Sequence, residues 1–286
     1  MYSFQGQNYT SLNKVPGDIL AAFIQHNVLT ETIAIQQNKI LFWEEHYLRL
    51  MASMRILRME IPLSFTLEHL SEKITALTTS LSKETFNGRV CLNVVKMAQP
   101  TFEQAVPPTA YSITALPAEE GEETLLFKKT TQSIDLYKDH YLSKGLYATI
   151  ESAAQQWRYK AWTYVHENDY CDGILLNTEK HLVESLRGAL FLVKGNEIRT
   201  PALDQGCRKS VYRNQLLTVL SKSEELEITE EAISPFSIQK ADELFVLDDA
   251  KGIYSISQYR KKKFQVTQTE KIWAMFLEHI TTQNQL

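Results

Sequence analysis

The chain has 286 residues, a formal net charge of -4 and 44% hydrophobic residues, which are ordinary values for a globular protein of one large or two medium domains. A net negative chain creates no global positive field, so we expect no nucleic acid partner. No apolar run approaches the roughly 20 residues of a membrane helix, so we expect no membrane partner either.

The first half of the chain predicts short strands and two amphipathic helices. Two strands within 32–42 surround a polar turn at 36–38. Apolar residues recur every three or four positions over 43–57 and 64–81, which predicts a helix in each range, with Ser64 or Thr66 as the cap of the second. Further strands are predicted at 90–95 and 111–116.

The second half predicts a dense β region between helices. A strand at 125–129 and a helix over 153–167 come first. Strands follow at 173–177, 181–185, 189–193 and 197–200, then a helix over 210–220. Strands at 243–247 and 252–256 and a helix over 267–280 close the chain.

The acidic segment PAEEGEE, at 117–123, contains Pro and Gly and has little to bury, so it predicts a linker. We therefore place the domain boundary there, with an N-terminal α/β domain of residues 1–117 and a C-terminal β-rich α/β domain of residues 118–286. Each half mixes short strands with helices, so the predicted fold class is α+β in two domains.

The three cysteines, Cys91, Cys171 and Cys207, are odd in number and far apart. They form no metal-spaced pair and indicate no disulfide framework. The first ten residues lack a basic segment followed by an apolar stretch, so we expect no secretory signal. These features predict a cytoplasmic protein in a reducing compartment.

Four segments carry a family resemblance: ETI (31–33) with EEHYLRL (44–50), the run from DGILLN to TPAL (172–203), QGCRKSVYR (205–213) and ADELFVLDDAKGIYSI (241–256). In this order and spacing they resemble the class IV pyridoxal phosphate family, which includes branched-chain and D-amino acid aminotransferases and aminodeoxychorismate lyases. The resemblance spans almost the whole chain. It implies a cleft between two domains, pyridoxal phosphate as the cofactor and a homodimer.

Two residues of this chain match cofactor-binding positions of the family. The resemblance implies that Arg49 reaches the cofactor phosphate, since a guanidinium can donate two parallel hydrogen bonds to an anion. It implies that Glu184 faces the pyridine nitrogen and keeps it protonated, which makes the ring an electron sink. Without the resemblance, Arg49 is a surface helix residue and Glu184 a strand-end residue in solvent.

The family lysine that bonds to the cofactor lies upstream of this glutamate, at a strand end just before a long helix. Glu151 occupies that position here. The nearest lysines, Lys144 and Lys160, stay open as alternatives, although moving either into place breaks the match on one side. A lysine amine condenses with the cofactor aldehyde and moves the substrate proton, whereas a carboxylate cannot form an imine.

Residues expected near the phosphate also depart from the family pattern. Ser210, Val211 and Tyr212 stand at the family's turn, where the bulky phenol of Tyr212 replaces a small group. Asp248 or Asp249 stands where the family has a threonine or asparagine. An aspartate about 4 Å from a phosphate repels it by roughly 4 kcal/mol per charge pair at an effective dielectric near 20. These changes suggest relaxed selection for the cofactor.

Three functional hypotheses follow. The first is an active aminotransferase or 4-amino-4-deoxychorismate lyase, which needs a lysine in its pocket. The second, which agrees best with Glu151, is a degenerate member that binds a small anion or amino-acid-like ligand, or nothing, and acts as a binding or regulatory subunit or through its dimer surface. The third is new chemistry with Glu151 as a base. Arg187 could meet either Glu151 or a phosphate and so compensate for the added negative charge.

Overall fold

The computed structural model describes residues 2–25, 28–82, 85–98, 106–119, 124–151 and 156–283. The chain separates into two compact units, Met1–Thr124 with Glu151–Ala154, and Leu125–Ile150 with Gln155–Leu286. The boundary thus falls after Thr124, whereas the sequence placed it after residue 117. Thr124 is buried and its hydroxyl donates to the Ile35 carbonyl at 3.1 Å, which ties Thr124 to the first unit. Most of the predicted linker, at 120–123, lies outside the described residues.

The first unit is built on a six-stranded antiparallel sheet of order β2-β1-β6-β5-β3-β4. The predicted strands at 32–42, 90–95 and 111–116 are confirmed as parts of β3 with β4, β5 and β6. The elements are β1 (Tyr2–Phe4), β2 (Gln7–Tyr9), α1 (Gly17–Gln25), β3 (Leu29–Gln36), β4 (Lys39–Ile40), α2 (Trp43–Ile56), α3 (Leu67–Leu81), β5 (Gly88–Lys96) and β6 (Thr109–Pro117).

The two predicted helices of the first unit are confirmed as α2 and α3. Thr66 caps α3, since its side chain accepts a hydrogen bond from the His69 amide at 3.1 Å. The buried residues of α3 are Leu70, Ile74, Leu77 and Thr78, and this spacing puts one face of the helix into the core. The helix α2 likewise buries one face, which carries His46 as well as apolar residues.

The second unit contains a five-stranded sheet of order β10-β9-β8-β16-β17 and a six-stranded sheet of order β13-β12-β11-β14-β15-β7. A core of buried aliphatic and aromatic residues draws on both sheets. The elements are β7 (Leu126–Lys129), β8 (Ile134–Leu142), α4 (Trp157–Glu167), β9 (Asp172–Asn177), β10 (Leu182–Ser185), β11 (Ala189–Lys194), β12 (Glu197–Pro201), α5 (Val211–Leu220), β13 (Glu227–Glu231), α6 (Ser237–Lys240), β14 (Glu243–Asp248), β15 (Gly252–Ser255), β16 (Gln258–Tyr259), β17 (Lys262–Lys263) and α7 (Thr267–Gln283).

The predicted mixed α/β fold class is confirmed, but the sequence missed the strand β8. This strand pairs in parallel with β9, a partner that is distant in sequence. A 3-10 turn at Leu146–Thr149 then leads to Glu151, so Glu151 follows this turn and not a strand end. None of the helices in the described ranges combines the length and apolar character that a membrane crossing requires.

Candidate functional site

In the first unit, Arg49 is paired with a buried carboxylate. Arg49 Nε donates to Glu31 Oε1 at 2.9 Å, and Arg49 Nη2 donates to Glu31 Oε2 at 2.6 Å. His46 Nδ1 lies 3.0 Å from Glu31 Oε2. Because α2 brings His46 and Arg49 to one face and β3 supplies Glu31, the three side chains form a compact ion-pair cluster.

The ionic state of this cluster follows from its burial. Burial opposes ionisation of Glu31, but the charge of Arg49 and hydrogen bonds from His46 and Arg49 outweigh it and lower the Glu31 pKa. A carboxylate only accepts, so His46 Nδ1 is the donor. His46 Nε2 is buried and has no hydrogen-bond partner among the described residues.

In the second unit, Glu184 lies on β10 with its side chain only 4% exposed. Its Oε1 accepts from Arg158 Nη2 at 2.7 Å and from Arg208 Nε at 2.8 Å. Its Oε2 accepts from the Arg208 backbone amide at 3.0 Å. Glu184 is therefore not a strand-end residue in solvent. It is the shared acceptor of two guanidinium groups. We call Glu184, Arg158 and Arg208 together the Glu184 cluster.

The Glu184 cluster is fixed by several elements of the second unit. Arg158, on α4, also donates from Nη1 to the Leu186 carbonyl at 2.9 Å. Arg208 precedes α5 and holds the carboxylate with both backbone and side chain. The cluster thus ties α4, β10 and the start of α5 together, and charge-assisted bonds at these distances are strong ones.

The N-terminus of α5 carries its own anion. Ser210 caps the helix, since its hydroxyl accepts from the Arg213 amide at 2.9 Å. The same hydroxyl donates to Asp249 Oδ1. Val211 and Tyr212 are buried, and that they contact a cofactor stays a prediction. A carboxylate at this helix end takes the position that the helix dipole favours for negative charge.

Nearby groups in the second unit have shifted pKa values. Burial, with Asp249 and Asp248 close by, raises the pKa of Tyr212 well above its usual value. Burial and the neighbouring Asp249 raise the pKa of Asp248, although the Ala250 amide and the charge of Lys251 oppose this. Two adjacent aspartates therefore make this segment unfavourable for a further anion.

Arg187 lies close to Glu184 in sequence but is directed elsewhere. Its Nη2 donates to the Cys171 carbonyl at 3.3 Å, and its guanidinium lies over the rings of Trp162 and Tyr254. The side chain thus contacts α4 and β15, whereas Glu184 is met by Arg158 and Arg208. The charge of Arg187 also acts to lower the pKa of Asp248, one of the two residues expected near the phosphate. That Arg187 meets a phosphate stays a prediction.

Glu151 belongs to the first unit, where its carbonyl accepts from the Thr30 amide at 3.2 Å. Of the two alternative lysines, Lys144 is exposed and its Nζ lies 2.7 Å from Glu179 Oε2. Lys160 is exposed on α4. Neither side chain occupies a buried position such as a lysine with an activated amine commonly has.

Sequence reasoning missed Arg158, Arg208 and Glu31 as members of these clusters, and it named Ser210 only as part of the turn near the phosphate. Arg208 and Ser210 lie inside QGCRKSVYR and Glu31 inside ETI, so all three stood in segments already singled out. A buried carboxylate needs a cation beside it, and this requirement was the signal that could have indicated an arginine partner for Glu31 and Glu184. It did not say which of the many arginines would provide the charge.

The comparisons with known proteins agree with this architecture. The family model for amino-transferase class IV matches residues 28–259. A probable branched-chain-amino-acid aminotransferase of Aquifex aeolicus is 25% identical over 250 residues, which cover 80% of this chain and 72% of the relative.

Solved structures show the same fold at lower identity. A branched-chain aminotransferase from Thermoproteus uzoniensis, determined with norvaline, superposes with a TM-score of 0.81 and 17% identity, covering 98% of this chain and 94% of that one. A putative 4-amino-4-deoxychorismate lyase from Legionella pneumophila gives a TM-score of 0.76 and 18% identity, covering 90% and 92%.

Proposed function

This chain belongs to the class IV aminotransferase family, and we propose that it is a member that binds a small anion or amino-acid-like ligand without holding pyridoxal phosphate covalently. The observation that carries the proposal is the pairing of Glu184, the residue that matches the family's pyridine-facing carboxylate, with Arg158 and Arg208. We further propose a homodimer and a cytoplasmic location, as the sequence led us to expect.

The Glu184 cluster opposes the electronic role of a pyridoxal ring. A ring nitrogen has to stay protonated to act as an electron sink, and a carboxylate stabilises that positive charge. Two guanidinium groups on the same carboxylate do the opposite, since each would repel a pyridinium brought to Glu184. Glu184 in this setting is better suited to holding α4 and α5 than to serving a cofactor.

The start of α5 supports the same proposal. Pyridoxal phosphate would bring its phosphate to a helix N-terminus, where backbone amides and the helix dipole favour an anion. In this chain Asp249 is hydrogen-bonded to the capping Ser210 at that end. With Asp248 beside it, a bound phosphate would meet two carboxyl groups in place of neutral side chains, and the residues present do not fit the group well.

Glu151 supplies the third line of support. When bound, pyridoxal phosphate offers an aldehyde for an amine, and Glu151 has none to give. Lys144 is engaged by Glu179, and Lys160 is exposed on α4. A ligand of this protein would then be held by charge and hydrogen bonds alone. Arg158 and Arg208, whose side chains are 15% and 14% exposed, are candidates to meet its carboxylate.

An active aminotransferase or 4-amino-4-deoxychorismate lyase is the second candidate. One observation favours it, namely that Arg49 and Glu184 are both retained at positions matching the family's cofactor contacts. This candidate requires a lysine elsewhere to take the place of Glu151. The two functions are separable because only the second gives a bond between pyridoxal phosphate and the protein.

The test is a titration of the purified chain with pyridoxal phosphate while its absorbance is recorded. We expect the free cofactor spectrum without a protein-dependent yellow band. The Glu151→Lys variant tests the sequence match, since a band there and not in the matched Glu151→Gln control would place residue 151 at the lysine position. A yellow band in the unmodified protein, together with transfer of an amino group from an added amino acid, would establish the second candidate instead.

A further inference from the structure

A cavity of about 390 Å³ lies within the second unit. It is bordered by the end of β7, by α4 and by the start of β15. The residues that matter for its chemistry are Lys128, Lys129, Trp162, Arg187, Lys251 and Tyr254. Arg49, Glu184 and Asp249 do not line it, whereas Arg187, which the sequence analysis offered to a phosphate, does.

Arg187 is held in a fixed orientation at this cavity. Its guanidinium carbon lies 4.7 Å from the ring centroid of Tyr254 and 5.2 Å from that of Trp162. Its Nη2 donates to the Cys171 carbonyl at 3.3 Å, and its Nε lies 3.9 Å from Asp172 Oδ2. Within the described residues Nη1 has no hydrogen-bond partner, and the side chain is 29% exposed. An arginine fixed against two rings with donors still available is suited to an oxyanion.

Sheet register places more positive charge at the same cavity. The strands β7 and β15 pair in parallel so that Lys128 is opposite Tyr254 and Lys129 opposite Ser255. Lys251 lies just before β15 in the same wall. Asp169 is the acidic residue that lines the cavity. Arg187 and three lysines thus line the cavity, and the carboxylates set against them are Asp169 in the lining and Asp172 beside Arg187. The remaining positive charge favours a ligand of more than one negative charge.

The volume selects the kind of ligand. Sites for small organic molecules occupy roughly 300–1,000 Å³, and this cavity falls at the lower end of that range, well above what one inorganic ion fills. We propose that it binds the phosphate monoester of a small organic molecule. The phosphate dianion lies on Arg187 and the lysines, and the organic part fills the remaining space.

The test is isothermal titration of the full chain with glucose 6-phosphate, ribose 5-phosphate and AMP, with glucose and inorganic phosphate as controls. We expect saturable binding of at least one monoester, no binding of glucose, and weaker binding of inorganic phosphate. Affinity should also fall as salt is raised, because the lysines are solvent-accessible. No saturable binding of any monoester, or equal affinity for inorganic phosphate, would overturn the proposal.

Charge variants localise the ligand. Lys128→Met with Lys251→Met should weaken monoester binding at least about tenfold, because two attractive charges are lost. Arg187→Met should weaken binding to the same degree. This variant also removes the cation beside Asp172, and if that loss harms folding, the lysine variant still tests the site. Lys222→Met with Lys240→Met is the matched control, since both are exposed and outside the cavity. Equal loss in the control and the cavity variant would contradict this site. The binding of these monoesters requires no imine with the protein, so the result does not depend on whether Glu151 stands at the lysine position.

Discussion

The most informative substitution is Glu184→Gln, because the two candidate functions predict different effects of this change on the stability of the fold. In a protein that uses the Glu184 cluster to hold α4 and the start of α5, losing the charge destabilises the fold. In an enzyme that keeps Glu184 for a cofactor, replacing it leaves stability unchanged or raises it, as is common for functional residues.

The expected magnitude follows from burial and contacts. The Glu184 side chain is 4% exposed, and those of Arg158 and Arg208 are 15% and 14% exposed. Removing one partner of a buried ion pair costs roughly 3–5 kcal/mol. Glutamine keeps one acceptor oxygen, and both arginines can reach some solvent, so we expect a loss of about 2–3 kcal/mol in the free energy of unfolding.

The assay is urea unfolding followed by tryptophan fluorescence, since Trp157, Trp162 and Trp273 all lie in the second unit. The matched control is Glu179→Gln, which removes the exposed partner of Lys144 and should change stability by no more than about 0.5 kcal/mol. If Glu184→Gln unfolds within about 0.5 kcal/mol of the unmodified protein, or is more stable, the cluster is not structural and the reasoning fails.

Three further predictions concern the second unit. Burial raises the pKa of Asp172 to about 6, so the stabilisation from its proton is complete below about pH 4 and is lost as pH rises through 6. The Asp172→Asn variant should therefore have the same free energy of unfolding as the unmodified protein at pH 4. At pH 7 its free energy of unfolding should be higher by about 2 kcal/mol, measured by urea unfolding at both pH values. A Cβ on Gly188 would lie 2.0 Å from the Leu247 carbonyl oxygen, so Gly188→Ala should lose about 3 kcal/mol or more and melt earlier in thermal unfolding followed by circular dichroism. Ser210→Ala removes a helix cap and should cost about 1 kcal/mol in the same measurement, whereas no change would show that the cap is not needed.

Much of the fold could be predicted because burial leaves a local pattern in the sequence. The three- and four-residue spacing of Leu70, Ile74 and Leu77, together with the capping Thr66, located α3 to within a few residues. The apolar runs at 173–177 and 189–193 marked β9 and β11, which are buried on both faces. In these segments each residue's environment depends mainly on its own element.

The strand β8 escaped prediction because its pattern is not local. Its early residues Ile134, Leu136 and Tyr137 are buried, but Lys138 and Asp139 follow in exposed positions. Its place in the sheet depends on parallel pairing with β9, which begins after a whole helix has intervened. A parallel partner so far along the chain cannot be read from periodicity.

The charged clusters show the same limit at the level of the site. At the sequence level, the resemblance assigned Glu184 to the pyridine nitrogen, and Arg187 was offered to Glu151 or a phosphate. In the structure, Arg187 lies over the rings of Trp162 and Tyr254. Glu184 pairs with one arginine on α4 and with another in the segment before α5. The pairing of cations with carboxylates depends on where the fold places each residue and on the direction of its side chain. The composition of the chain gives neither of these.

Reduction with borohydride in the presence of pyridoxal phosphate, followed by peptide mass mapping, measures directly whether any amine of this chain bonds covalently to the cofactor. The account predicts no peptide that carries the reduced cofactor at an amount equal to the protein. A single lysine modified in that proportion, whether Lys144, Lys160 or another, would contradict it.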